Sequence, residues 1–113
     1  MLVNKSETDV EILQEKLQEI KNQEGIIGYI LRNSQSASID LKDPKKIIDY
    51  AVLSSTAFDV SRSMTEALQM GEVDTMVVES EETKLLSMNV NDHRLSIFME
   101  KTVDHNKLYK SLK

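Results

Sequence analysis

The chain has 113 residues, no cysteine, and 19 acidic against 14 basic side chains, for a net charge of −5. Without cysteine it has no disulfide, no thiolate metal site and no cysteine nucleophile, and its acidity sets it against phosphate backbones, so no nucleic-acid partner is expected. No stretch approaches the roughly 20 apolar residues that span a bilayer, and Met1-Leu2-Val3-Asn4-Lys5 opens no run of signal-peptide length; the expected location is cytoplasmic.

The length suits one domain over 1–113, with its core at about 8–112. Three glycines and one proline favour long regular elements over disorder. The first helix is predicted near residues 8–23. Thr8 and Glu11 have the spacing of a capping box. Val10, Leu13, Leu17 and Ile20 then form one helical face, and Gly25 is available to close the helix. Ile26-Ile27-Gly28-Tyr29-Ile30-Leu31 is apolar on both alternations, the mark of a strand buried on both faces. After the turn cluster Asn33-Ser34-Gln35-Ser36, Ala37, Ile39 and Leu41 alternate with Ser38 and Asp40, as in a half-exposed edge strand paired in a hairpin.

Asp43-Pro44 opens a second helix, predicted to run to Met70 and stop at Gly71. About 27 residues would make it roughly 40 Å long, well above the usual length. It carries two apolar groups. Tyr50, Leu53, Ala57, Val60, Met64 and Ala67, with Leu68 beside them, form a full-length stripe expected to lie on the sheet. Ile47, Ala51 and Phe58, with Ile48 and Val52 adjoining, form a second group in the N-terminal half. Ala51, Ser54, Ser55 and Ser61 are small enough to admit another helix. A helix on one sheet needs one stripe; the second is covered by a neighbouring loop, by a twisted sheet, or by a second copy of the same helix.

Three strands follow: Thr75 to Glu79; Lys84 to Val90, with Leu86, Met88 and Val90 on one alternation; and Leu95 to Glu100, with Leu95, Ile97 and Met99 on one face and Phe98 on the other. Ser80-Glu81-Glu82-Thr83 and Asn91-Asp92-His93-Arg94 are short polar connections, so the three form an antiparallel meander. A last helix from about Asp104 to Leu112 presents Leu108, Tyr109 and Leu112. The order α-β-β-α-β-β-β-α gives an α+β domain, one antiparallel sheet with helices packed on its faces.

This order resembles the Roadblock (dynein light-chain) family. The resemblance runs from about Val10 to Leu112 and is carried by four segments. These are Glu24-Gly25-Ile26-Ile27-Gly28-Tyr29-Ile30-Leu31, the long serine- and alanine-rich helix ending at Gly71, Met76-Val77-Val78-Glu79, and Leu95-Ser96-Ile97-Phe98-Met99. Val103-Asp104-His105-Asn106 departs from the family's longer, glycine-rich final connection. The resemblance implies a five-stranded sheet with the long helix on one face and the two terminal helices on the other. It also implies a dimer formed by joining third strands edge to edge and pairing long helices. The implied interface is Ile47, Ala51, Ser54, Ser55 and Phe58 with Thr75, Met76, Val77, Val78 and Glu79. It further implies a non-catalytic regulator or scaffold of the prokaryotic type. Such a protein binds a small Ras-like GTPase, and its dimer partner is itself or a related Roadblock chain. No cofactor is implied.

The chain's own chemistry is sparse. Gly25-x-x-Gly28 lacks the spacing and the lysine of a phosphate-binding loop, so the chain is a candidate partner of a GTPase and not one itself. An arginine finger must be exposed and reach a phosphate. Arg62, on the long helix, and Arg32 are candidates for that role, but the favoured reading is a solvated surface arginine, with Asp59 three residues before Arg62 offering an ordinary helical ion pair. His93 and His105 fall in separate turns, too few for zinc. Glu79, Glu81 and Glu82 flank a hairpin tip in water. The alternative function is a profilin-like or PAS-like sensor holding a small ligand between sheet and helix.

Overall fold

The computed structural model describes residues 5–33, 35–71, 73–90 and 92–112. Helix α1 (Lys5–Lys21) leads into strand β1 (Ile26–Arg32), which turns back as β2 (Ala37–Leu41). A 3₁₀ turn (Pro44–Lys46) opens helix α2 (Ile47–Ala67). The meander β3 (Thr75–Glu79), β4 (Thr83–Val90) and β5 (His93–Glu100) follows, and α3 (His105–Leu112) closes the chain. The sheet is antiparallel throughout, in the order β2-β1-β5-β4-β3. This is the expected α+β architecture, except that β5 begins at His93, so His93 and Arg94 are paired in the strand and not part of the turn before it.

Strand alternation divides the core into two layers. On one face Leu86 and Met88 of β4 and Leu95, Ile97 and Met99 of β5 join Tyr29 and Leu31 of β1. Against them pack Leu13, Leu17 and Ile20 of α1 and Leu108 and Leu112 of α3. On the other face Ile30, Leu41, Leu85 and Phe98 meet Tyr50, Ala51 and Ala57 of α2. The Tyr50 and Phe98 rings lie 4.5 Å apart, tilted by 49°, an arrangement that suits the ring quadrupoles. Two terminal helices on one face and the long helix on the other is the predicted layering.

Helix ends differ from the expectation. Thr8 lies inside α1 and does not cap it; its side chain and that of Val10 fall outside the described residues, as do Ser34 and Asn91 of the two predicted turns. α1 ends at Lys21, so Gly25 serves the turn into β1 instead. It holds φ +87°, and an added Cβ would sit 2.6 Å from Val103 Cγ2. Asp43 caps the 3₁₀ turn, its Oδ1 accepting from the Lys45 N–H at 3.1 Å. α2 stops at Ala67, short of Met70. The Gln69 N–H donates to the Glu66 carbonyl (3.1 Å) and the Met70 N–H to the Thr65 carbonyl (2.8 Å). With Gln69 at φ 55°, this is a Schellman ending in which a glutamine takes the left-handed position usually given to glycine.

Polar contacts fix the helices on the sheet. Tyr29 and Asp40 face each other across β1 and β2. Gln18 donates to the Tyr29 hydroxyl at 3.0 Å and to Asp40 Oδ2 at 3.2 Å, and Lys21 is ion-paired with Asp40. At the other end Lys84 is buried, its ammonium donating to the Val103 carbonyl and, at 3.2 Å, to His105 Nδ1. That side chain fastens the start of β4 to the start of α3.

Candidate interaction surface

The outer face of α2 and the free edge of β3 are the candidate surface, and both follow from local sequence. α2 packs on the sheet through its small and polar side. Ser54 is buried, and Ala51, Ala57, Phe58, Ser61 and Thr65 are half-buried. The hydroxyls of Ser54, Ser61 and Thr65 donate to carbonyls three residues back, at 3.1, 2.9 and 3.0 Å, which removes the penalty of burying them. The sheet beneath is equally polar: Ser87 and Ser96, opposite one another on β4 and β5, are buried with their Oγ atoms 3.4 Å apart.

This placement corrects the expected seating of the helix. Of the full-length stripe, Tyr50 and Ala57 meet the sheet, whereas Ala67 is exposed and Leu53, Val60, Met64 and Leu68 are 50–66 % exposed. Ile48 and Val52 lie outward with them at 76 % and 60 %. The reason is volume. Small residues let α2 approach a sheet face that already carries serines and arginines, and the bulky stripe is turned away. Apolar side chains in contiguous array on a surface mark an interaction site.

The residues named for the interface therefore divide. Ala51, Ser54 and Phe58 point toward the chain's own sheet, and Ser55 Oγ accepts from Arg32 Nη1 at 2.8 Å. The side chain of Ile47 falls outside the described residues. Thr75, Met76, Val77, Val78 and Glu79 form β3, which lies at the edge of the sheet and pairs with β4 alone among the described residues. Val77 and Val78 are each 39 % exposed. The outward row Ile48, Val52, Leu53, Val60, Met64 and Leu68 lies outside the expected interface. Its 3–4 periodicity is visible in the sequence, but periodicity alone does not say which of two stripes faces inward.

The chemistry candidates stay apart. Arg62 is more than half exposed and lies 3.8 Å from Asp59, the expected ion pair. His93 opens β5 beside Asn33, while His105 opens α3 as the acceptor of Lys84. Among the described residues no group of three or more histidine and carboxylate side chains is placed to hold a metal. Glu79, Glu81 and Glu82 are exposed around the β3–β4 turn. No described helix is long and apolar enough to cross a membrane.

No protein-family model and no curated protein matches the chain by sequence. Solved structures do match it in shape. A Roadblock/LC7 domain from Streptomyces avermitilis superposes with a TM-score of 0.69 at 19% identity, over 89% of this chain and 86% of that one. The gliding protein MglB of Thermus thermophilus gives 0.66 at 17%, over 98% and 87%. Myxococcus xanthus MglB gives 0.64 at 11%, over 100% and 96%. Together with the strand order and the two-sided placement of the helices, these likenesses establish that the chain has the Roadblock/LC7 fold.

Proposed function

We propose that the protein is a non-catalytic homodimeric regulator that binds a small Ras-like GTPase and modulates its nucleotide cycle. The observation that carries the reading is the presence of two open surfaces in one chain: the outward apolar row of α2 and the edge of β3, which carries Val77 and Val78 and pairs with β4 alone among the described residues. An exposed apolar strand edge is a template for another strand. A two-fold dimer needs one self-complementary patch. β3 joined to β3 in a second copy, with the α2 rows facing one another, supplies it. The interface then comprises Thr75, Met76, Val77, Val78 and Glu79 and the row from Ile48 to Leu68.

GTPase regulation rests on the likeness in fold to bacterial gliding proteins together with the resemblance in sequence order. The test adds the purified protein to small Ras-like GTPases encoded in the same genome and follows release of a fluorescent nucleotide and hydrolysis of GTP. A change in either rate for one of them, lost in Val60→Glu, is the expected result. Absence of binding and of any rate change across the set would overturn the reading.

A further inference from the structure

Where α2 passes over the ends of β1, β4 and β5, the sheet carries an arrangement that folding alone does not favour. Arg32 of β1 and Arg94 of β5 are directly paired across antiparallel strands, and Asn89 of β4 stands opposite Arg94 on its other side. Directly opposed residues have Cβ atoms about 5 Å apart, and like charges there are destabilising. Arg62 reaches the same place from α2. Its guanidinium carbon lies 5.8 Å from the centre of the Phe58 ring, and that of Arg94 is stacked on the ring at 3.3 Å. Three arginines from three elements thus gather around one phenylalanine in a chain of net charge −5.

They line two adjoining hollows of about 680 and 350 Å³, which share Phe58, Asn89 and Arg94. Volumes of several hundred Å³ belong to small-molecule sites. Arg94 Nη1 is buried without a hydrogen-bond partner, a state that costs about 1–3 kcal/mol unless something fills it. Burial first, then the charges of Arg32 and Arg62, lower the Arg94 pKa to about 10, with Asp74 opposing them. The group remains a cation at neutral pH. Carboxylates stand nearby: Glu66 and Asp92 on the exposed rims, Asp74, and Asp59 beside Arg62. None of them takes the buried Nη1.

We propose that this cleft binds a small phosphorylated molecule, with Arg94 at its centre and Arg32 and Arg62 on either side. A carboxylate is planar and matches one guanidinium fork. Donors arriving from β1, α2 and β5 suit a tetrahedral group whose oxygens point in several directions. The acidity of the whole chain disfavours an extended polyanion such as nucleic acid. All the residues that line the site belong to one chain.

The test is a titration of the isotope-labelled full chain with inorganic pyrophosphate at constant ionic strength, following the arginine Nε–Hε resonances by NMR. A saturable shift of the Arg94 signal with a midpoint at or below about 1 mM is expected. Citrate, which offers carboxylates instead, is expected to bind about ten-fold more weakly or not at all. Arg62 is exposed, so Arg62→Gln should fold, and it is expected to weaken binding about five-fold through loss of one charge-assisted contact. Lys45→Gln, on the far turn before α2, should change nothing. A shift that never saturates, equal or tighter binding of citrate, or indifference to Arg62→Gln would each overturn the proposal.

Discussion

Single residues in this fold are pinned by contacts that can be tested one at a time. Gln69 holds a left-handed conformation that costs an L-residue roughly 1–2 kcal/mol relative to glycine. Gln69→Gly is therefore expected to raise stability by about 1 kcal/mol in urea unfolding. Gly28 is the opposite case. A Cβ there would stand 2.5 Å from Leu41 Cδ2 and 2.7 Å from Leu41 Cα on the neighbouring strand, and backbone cannot move aside as a side-chain tip can. Gly28→Ala is expected to cost about 2 kcal/mol or more, measured the same way. Asp40 supplies a pH dependence. The hydrogen bond from Lys21 holds its carboxyl below the ordinary 3.8, with Gln18 adding to the effect against a desolvation that works the other way. A carboxyl whose pKa is depressed by folding contributes stability above its unfolded pKa and loses it as pH falls through the folded one. Stability should thus decline from about pH 4 downward, and Asp40→Asn should flatten that part of the profile.

At the scale of elements, strands were legible almost to the residue because their evidence is local. Alternation in Leu95-Ser96-Ile97-Phe98-Met99 states which side chains go to which face, and each lies where alternation puts it. α2 was legible as a helix with two apolar sides, but the side that packs inward was not. That choice depends on what the sheet offers: here the serines at 87 and 96 and the arginines at 32 and 94, all on the face α2 covers. A small-residue side fits closely over such a surface, and a stripe of leucine, valine and methionine does not. The capping box was misplaced for a related reason, since Thr8-x-x-Glu11 also occurs within a continuing helix. β3 was legible as a strand from its short apolar run. Which side of α2 faces outward was not, because that depends on the helix's rotation over the sheet. Sequence does not reveal the Arg94 cluster, because Arg94 follows a polar turn sequence and its neighbours Arg32 and Arg62 are distant along the chain. The seating of α2 makes a contrast that a dimer-splitting background exposes. With Val60→Glu present, Phe58→Ala should cost about 2 kcal/mol, whereas Met64→Ser should change stability by about 0.5 kcal/mol or less. The reverse ranking would mean that the bulky stripe faces the sheet.

For the whole molecule, the arrangement of the sheet and the outward row of α2 lead to one claim, that the fold is completed by a second copy. Of the two edges, β3 exposes the adjoining Val77 and Val78 and lies on the side of the sheet away from the β1–β2 hairpin. Pairing β3 with β3 of a second copy about a two-fold axis closes that joint at two chains. The direct measurement is the solution mass by light scattering at micromolar concentration, for the wild type and for Val60→Glu. A wild-type mass near twice 12.9 kDa and a variant at the mass of one chain are expected. A wild type that stays at the mass of one chain, or a dimer untouched by a glutamate in the middle of the outward row, would contradict that claim.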